Sequence, residues 1–423
     1  SFMHFSILGA NTALSAATFA FAINFSVWTL FAALGIDLKD SLELTSTQLG
    51  LLFSSPVLTG AISCVIAGAW SEKLNPKSLL IAQMLLTAPA LFLLPLMETF
   101  NHYLLLGLWI GLGGASFTIG LRYVVDWFDR HTQGTAMGIY GVGNVGAALT
   151  LIITPFIIRE WGSQSIGPFF GLVLIISAFL FWIIAPTKTF KAQNKSHNLS
   201  LLSVLQNMQV WRFGLYYYFV FGSFLALILW LPHYYVSAYQ LSPSSAMAFT
   251  IIFIVTSSMA RALGGWFSDR YGGRSVNWMV FWICIICLFF LSYPPTTMTI
   301  HGVEHDVEIS IEINVWIFSL LIITIGIAQG FGRASVFKTI HEYYPKNMGQ
   351  IGGFVAGIGS LGGCTLPILF GLSVDLLGIH TASFMTLYGV LACCMATMFF
   401  ANKSARLKER VSEARQHNFL DYD

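Results

Sequence analysis

The chain has 423 residues, of which 56% are hydrophobic and only 9% are charged. A soluble protein of that length cannot cover its surface with so few charged groups, so a water-soluble globule is excluded. Lys and Arg number 21 against 19 Asp and Glu, and the formal net charge of +2 gives no electrostatic footprint for nucleic acid.

Twelve apolar stretches long enough to span a bilayer follow one another. In chain order they are 11–35, 48–70, 78–97, 103–126, 132–158, 168–186, 210–237, 244–267, 275–294, 314–334, 349–373 and 380–401. The first is longer than a signal-peptide core and no small-residue cleavage site follows it, so it reads as a membrane helix. The fourth ends with Arg122 and Asp126, which either pair along one helix face or leave Arg122 as a cation facing a cavity. The sequence admits both. The fifth is glycine-rich around Asn144, whose amide needs partners if buried. A polar segment then separates six spans from six. The predicted organisation is an N-terminal six-helix bundle at 1–187, a cytoplasmic linker at 188–209, and a C-terminal six-helix bundle with a short basic tail at 210–423.

The eighth stretch holds the most informative residue. Arg261 is the only charge between Ser244 and Phe267, and Asp269 follows it eight residues later. Eight helical residues rise about 12 Å, so Arg261 lies near the middle of a core about 30 Å thick. A charge at that depth costs about 2.5–3.5 kcal/mol and by default marks a substrate or ion pathway. No carboxylate in the apolar spans stands ready to neutralise it.

With both termini on one side, that side receives 17 of the 21 Lys and Arg, including Lys73, Lys77, Arg270, Arg274, Arg333, Lys338 and the tail. Lys39 and Arg159 fall on the other side. The positive-inside rule therefore places both termini in the cytoplasm. All six cysteines lie in apolar spans without metal-ligand spacing, so neither disulfides nor a metal site is expected. Histidines such as His233 and His380 fall at span edges or in loops, and no Asp or Glu lies deep in a span. No nucleophile–base pair or nucleotide loop accompanies the spans, so an enzyme is not expected, nor any cofactor.

The second half repeats the first. Gly68, Glu72, Lys73 and Lys77 match Gly265, Asp269, Arg270 and Arg274 at an offset of 197 residues, and Gly141, Gly143, Asn144 and Gly146 match Gly357, Gly359, Ser360 and Gly362 at 216. The loop at 295–313, between the ninth and tenth stretches, accounts for the difference. An all-α membrane protein of two repeated six-helix bundles around a midplane site is a transporter architecture. The first offset makes Cys64 the mate of Arg261, predicting that the two face each other across a central cavity.

The string Gly265-x-x-x-Asp269-Arg270-x-Gly272-x-Arg274 resembles the loop signature of the major facilitator superfamily. More of the chain is similar to one branch, the nitrate/nitrite porters. The resemblance is carried by Asn24-Phe25-Ser26-Val27-Trp28, by Gly134 to Gly146, and by Gly332 to Lys338 running on to Gly363 and Pro367. It implies a planar anion held between Phe117 and Phe221, gripped by Arg261, and touched by Tyr217 and Asn144. It also implies conformational gating by Gly265, Asp269, Arg270 and Arg274, a bacterial inner-membrane location, and one chain working as a monomer. Where the family pattern has a second arginine, this chain has Cys64. A less positive, roomier pocket leaves a larger organic anion, such as a carboxylate or a carboxylate-bearing chelate, as an alternative to nitrate or nitrite. A non-transporting anion sensor is the other reading.

Overall fold

The computed structural model describes residues 2–129, 131–188 and 199–420. Among these, 12 helices are long and apolar enough to cross a membrane: Gly9–Ser41, Ser46–Ser71, Pro76–Leu96, Phe100–Val125, Gln133–Trp161, Ser163–Ile184, Met208–Tyr239, Pro243–Tyr271, Gly273–Leu291, Val315–Tyr343, Met348–Leu377 and Ala382–Ala414. They are spans one to twelve. The even number returns both ends of the chain to one membrane face, the terminal face. Residues 189–198 of the expected linker lie outside the described residues, and the remainder carries a short helix, Leu201–Gln206.

Local signals set the helix starts. Thr45 accepts from the Gln48 backbone N–H at 3.2 Å while the Gln48 side chain accepts from that of Thr45 at 3.0 Å, a capping box opening span two. Asn75 caps span three with Pro76 in the first turn. The helices outrun the apolar stretches that announced them. Span ten continues to Tyr343, so Arg333 and Lys338, expected among the terminal-face loop charges, lie inside a helix and are buried. The apolar pattern fades at Ala334, but Val336, Phe337 and Ile340 keep one face packed.

Spans one to six pack on one another and spans seven to twelve do likewise, giving two six-helix bundles. Spans two and eleven run together along their whole lengths, spans five and eight meet toward the terminal face, and spans one and seven meet toward the opposite face. The repeat is visible in these contacts. A Cβ on Gly138 would lie 3.0 Å from the Arg261 carbonyl oxygen, and one on Gly353 would lie 2.8 Å from that of Cys64. Glycine lets each pair of backbones touch at the same depth.

Four spans are interrupted. Span one is interrupted at Thr29, spans four and five contain 3-10 turns at Gly111–Gly114 and Val142–Val145, and span seven contains a π-helical turn at Tyr218–Ser223. The 295–313 loop is a β-hairpin, Thr296–His301 against Asp306–Ile311, with Met298 opposite Ile309 and Ile300 opposite Val307. It projects from the face opposite the termini.

Candidate functional site

The interruptions carry the central side chains. The π turn of span seven sits where Gly222 presses on Gly359 and Gly362 of span eleven, and π turns concentrate at functional positions. Tyr217 immediately precedes it and Phe221 lies within it, with rings 5.0 Å apart and 8° from parallel. Phe117, just past the 3-10 turn of span four, faces them nearly in parallel, 6.4 Å from Tyr217 and 6.5 Å from Phe221. Phe337 of span ten closes one edge, perpendicular to Phe117 at 5.2 Å. Asn144, in the 3-10 turn of span five, is fully buried with both ends of its amide unpartnered.

Arg261 lies on an unbroken stretch of span eight and is 2% exposed. Its guanidinium passes over Gly141, where a Cβ would collide with the Nε and Cδ atoms. Nη2 donates to the Tyr217 hydroxyl at 3.3 Å, and Cζ sits 4.9 Å from the centre of the Phe117 ring. Nε and Nη1 have no acceptor, and no carboxylate among the described residues pairs with the group. The arrangement is a buried cation, two free donors, an aromatic slot and an amide. It suits a flat anion that brings acceptors and negative charge.

Cys64 occupies the corresponding place in the first half and is buried. Its thiol donates to the Gly114 carbonyl at 3.3 Å and lies beside the Thr118 and Ser360 hydroxyls. Cys64 and Arg261 both lie close to Tyr140 and Tyr217, which places them around one region. Arg122 takes the intrahelical course, pairing with Asp126 at 2.6 Å. Glu72 lies close enough to contribute to the same charge group.

Toward the terminal face the repeated motif makes different contacts in the two halves. In the first half, Glu72 accepts from the Gln350 backbone N–H at 3.0 Å, at the start of span eleven. In the second, Gly265 packs on Gly134 and Gly138, and Asp269 accepts from the Thr135 hydroxyl at 2.9 Å while pairing with Lys338 at 2.9 Å. Arg270 instead lies over the rings of Trp266 and Tyr271 on its own helix, and neither it nor Arg274 forms an ion pair among the described residues. Toward the opposite face Asp375 accepts from the Thr47 backbone N–H at 2.8 Å, tying span eleven to span two.

Sequence reasoning missed two residues here. Phe337 lies within the Gly332 to Lys338 string, one of 36 phenylalanines with no site role assigned to it. Arg333 stands one residue before the end of the 314–334 stretch and was counted with the terminal-face charges; it is in fact fully buried. The pair Gly332-Arg333, followed by the helix-period apolar residues Val336 and Ile340, was the available signal.

The fold and this site define a polytopic membrane transporter: the chain matches the Major Facilitator Superfamily over residues 14–364 and belongs to it. Within the superfamily it belongs to the nitrate/nitrite porters. It is 31% identical over 384 residues to a probable nitrate/nitrite antiporter of Thermus thermophilus, covering 88% of this chain and 87% of the relative. A nitrite extrusion protein of Bacillus subtilis is 25% identical over 395 residues, covering 93% and 95%. Among solved structures, a human organic anion transporter superposes with a TM-score of 0.71 at 15% identity, covering 91% of this chain and 98% of that one, a likeness of fold alone.

Proposed function

We propose that the protein moves nitrate and nitrite across a bacterial plasma membrane by alternating access of its two bundles, 1–187 and 210–423, with both termini cytoplasmic. The observation that carries this reading is Arg261, buried between Phe117 and Tyr217 without a carboxylate partner. An unpaired cation in a dry pocket calls for an anionic cargo. The slot speaks for its shape: Phe117 and Phe221 face each other 17° from parallel with ring centres 6.5 Å apart, just short of about 7 Å, twice an ordinary carbon contact, which a flat ligand between two rings needs. That spacing favours a thin trigonal or bent oxyanion over a bulky organic anion. Cys64 opens no extra room, because Gly114, Thr118 and Ser360 surround its thiol.

Exchange is the coupling this chemistry favours. Carrying the empty site through a conformational cycle would leave the buried guanidinium without a counter-charge, whereas a bound anion on each half-turn neutralises it. The test is flux in proteoliposomes. External nitrate uptake should be fast when nitrite or nitrate is trapped inside and near background in vesicles holding only gluconate. Equal uptake into both preparations would refute exchange, and no uptake of either anion would refute the substrate assignment.

A further inference from the structure

Arg333 has no role in the site as described so far, and its surroundings are unusual. It lies ten residues before the end of span ten, about 15 Å along the helix, and is 0% exposed. Nη2 donates to the Ser257 hydroxyl at 2.9 Å and to the Ser257 carbonyl at 3.3 Å, and Nη1 donates to the Val220 carbonyl at 3.4 Å. Its Cζ rests 3.8 Å from the centre of the Phe224 ring, and Nε has no acceptor. These partners are all neutral. No carboxylate among the described residues forms an ion pair with it.

The position is specific. Ser257 is one helical turn from Arg261 on the same span, while Val220 and Phe224 bracket Phe221. The two guanidiniums repel each other, and both act on the Tyr217 hydroxyl between them. Two like charges in one low-dielectric pocket are costlier than either alone, and one anion between them relieves both penalties.

We propose that Arg333 is the second cation of the anion site. A planar oxyanion such as nitrate is then gripped by two guanidiniums from spans eight and ten, both in the second bundle. The first bundle supplies the Phe117 plate and Asn144 but no charge, consistent with a neutral thiol at Cys64. This inference rests on the anion-site reading above.

Nitrate itself is the probe, titrated into the purified full-length chain and followed by tryptophan fluorescence and thermal shift. Arg333→Gln should raise the nitrate Kd roughly tenfold or more, and Arg333→Lys, which keeps the charge and loses the fork, by roughly three- to tenfold. Adding Cys64→Arg to Arg333→Gln should recover part of the affinity by returning a cation to the pocket. A merely structural Arg333 would lower the melting temperature of either variant without moving Kd, and Cys64→Arg would rescue nothing. A Kd within about twofold of wild type in folded Arg333→Gln overturns the proposal and leaves Arg261 and its aromatic slot standing. If that variant does not fold, the same result in Arg333→Lys overturns it. Failure of wild type to bind nitrate removes the underlying reading and this inference together.

Discussion

In the first bundle, Cys64 presents its carbonyl to Gly353 and a neutral, hydrogen-bonded thiol to its surroundings; in the second, Arg261 presents its carbonyl to Gly138 and an unpaired guanidinium to the slot. The backbone contacts are near copies, and the side chains have nothing in common. The repeat constrains what two helices need in order to touch, which is glycine at fixed spacing. It leaves free what the pocket needs, because a side chain there answers to the cargo and not to the helix crossing. The buried guanidiniums of Arg261 and Arg333 are therefore both on one side of a nearly symmetric frame.

The largest way to break this asymmetry is to remove its charged side. Arg261→Ala should abolish saturable nitrate uptake, with affinity down about a hundredfold to ten-thousandfold if two charge-assisted contacts of about 1.5–3 kcal/mol each are lost. Arg261→Lys should recover only part of it. Arg270→Ala, whose guanidinium lies on its own helix away from the slot, should change turnover more than nitrate affinity. Equal affinity in wild type and Arg261→Ala, measured by equilibrium binding, would remove Arg261 from the site.

Next in size is Gly141→Ala. The added methyl would occupy the space of the Arg261 Nε and Cδ atoms, and overpacking of this kind costs about 1–3 kcal/mol. The expected result is a folded transporter with nitrate affinity reduced about tenfold, read by the same titration. A methyl that changes nothing would mean the guanidinium is free to move elsewhere.

Much of this was legible in the chain. Apolar length gave the spans, and Arg261 stood out because a lone charge at midplane depth is expensive. The rest was hidden for physical reasons. Membrane helices extend past the hydrocarbon core: Arg333 closes the 314–334 stretch and so looked like a terminal-face charge, whereas the helix runs on to Tyr343 and buries it. The π turn at Tyr218 sits where Gly222 meets Gly359 and Gly362, and the 3-10 turn at Val142 where Gly143 and Gly146 meet Phe21 and Ala22 of span one, long-range contacts that no local pattern announces. The hairpin at 296–311 did carry a period-two signal, with Met298, Ile300, Val307 and Ile309 on one face, but the surrounding apolar spans drew attention away from it.

Two smaller perturbations sharpen the comparison at the terminal face. Asp269→Asn removes the carboxylate that pairs with Lys338, whose side chain is only 8% exposed. Lys338 keeps the longer contact to Glu342 at 3.9 Å, but losing the closer carboxylate of a largely buried charge should still cost about 2 kcal/mol of stability in that closure. Trapping by a cysteine pair across spans five and eight should report a lower closed population, and an unchanged population would show that the ion pair does not hold the gate.

Glu72→Gln should have the smallest effect, and its sign is set by burial. The Glu72 carboxyl is pushed above its ordinary value chiefly by burial, opposed by the Gln350 N–H and by Arg122 nearby. In the closed state it therefore holds its proton more tightly than in an open state where water reaches it. At pH below the ordinary carboxylate range both states are protonated and closure keeps its full strength. As the pH rises through the raised value, the closed state must ionise a buried group, and closure weakens. A glutamine keeps an oxygen to accept from Gln350 and cannot ionise, so the variant should be within about 1 kcal/mol of wild type. It should also lose this part of the pH dependence. Melting temperatures recorded from about pH 4 to 8 bracket the transition. Wild type should fall relative to Glu72→Gln as the pH rises, and parallel curves would show that the carboxyl ionises equally well in both states.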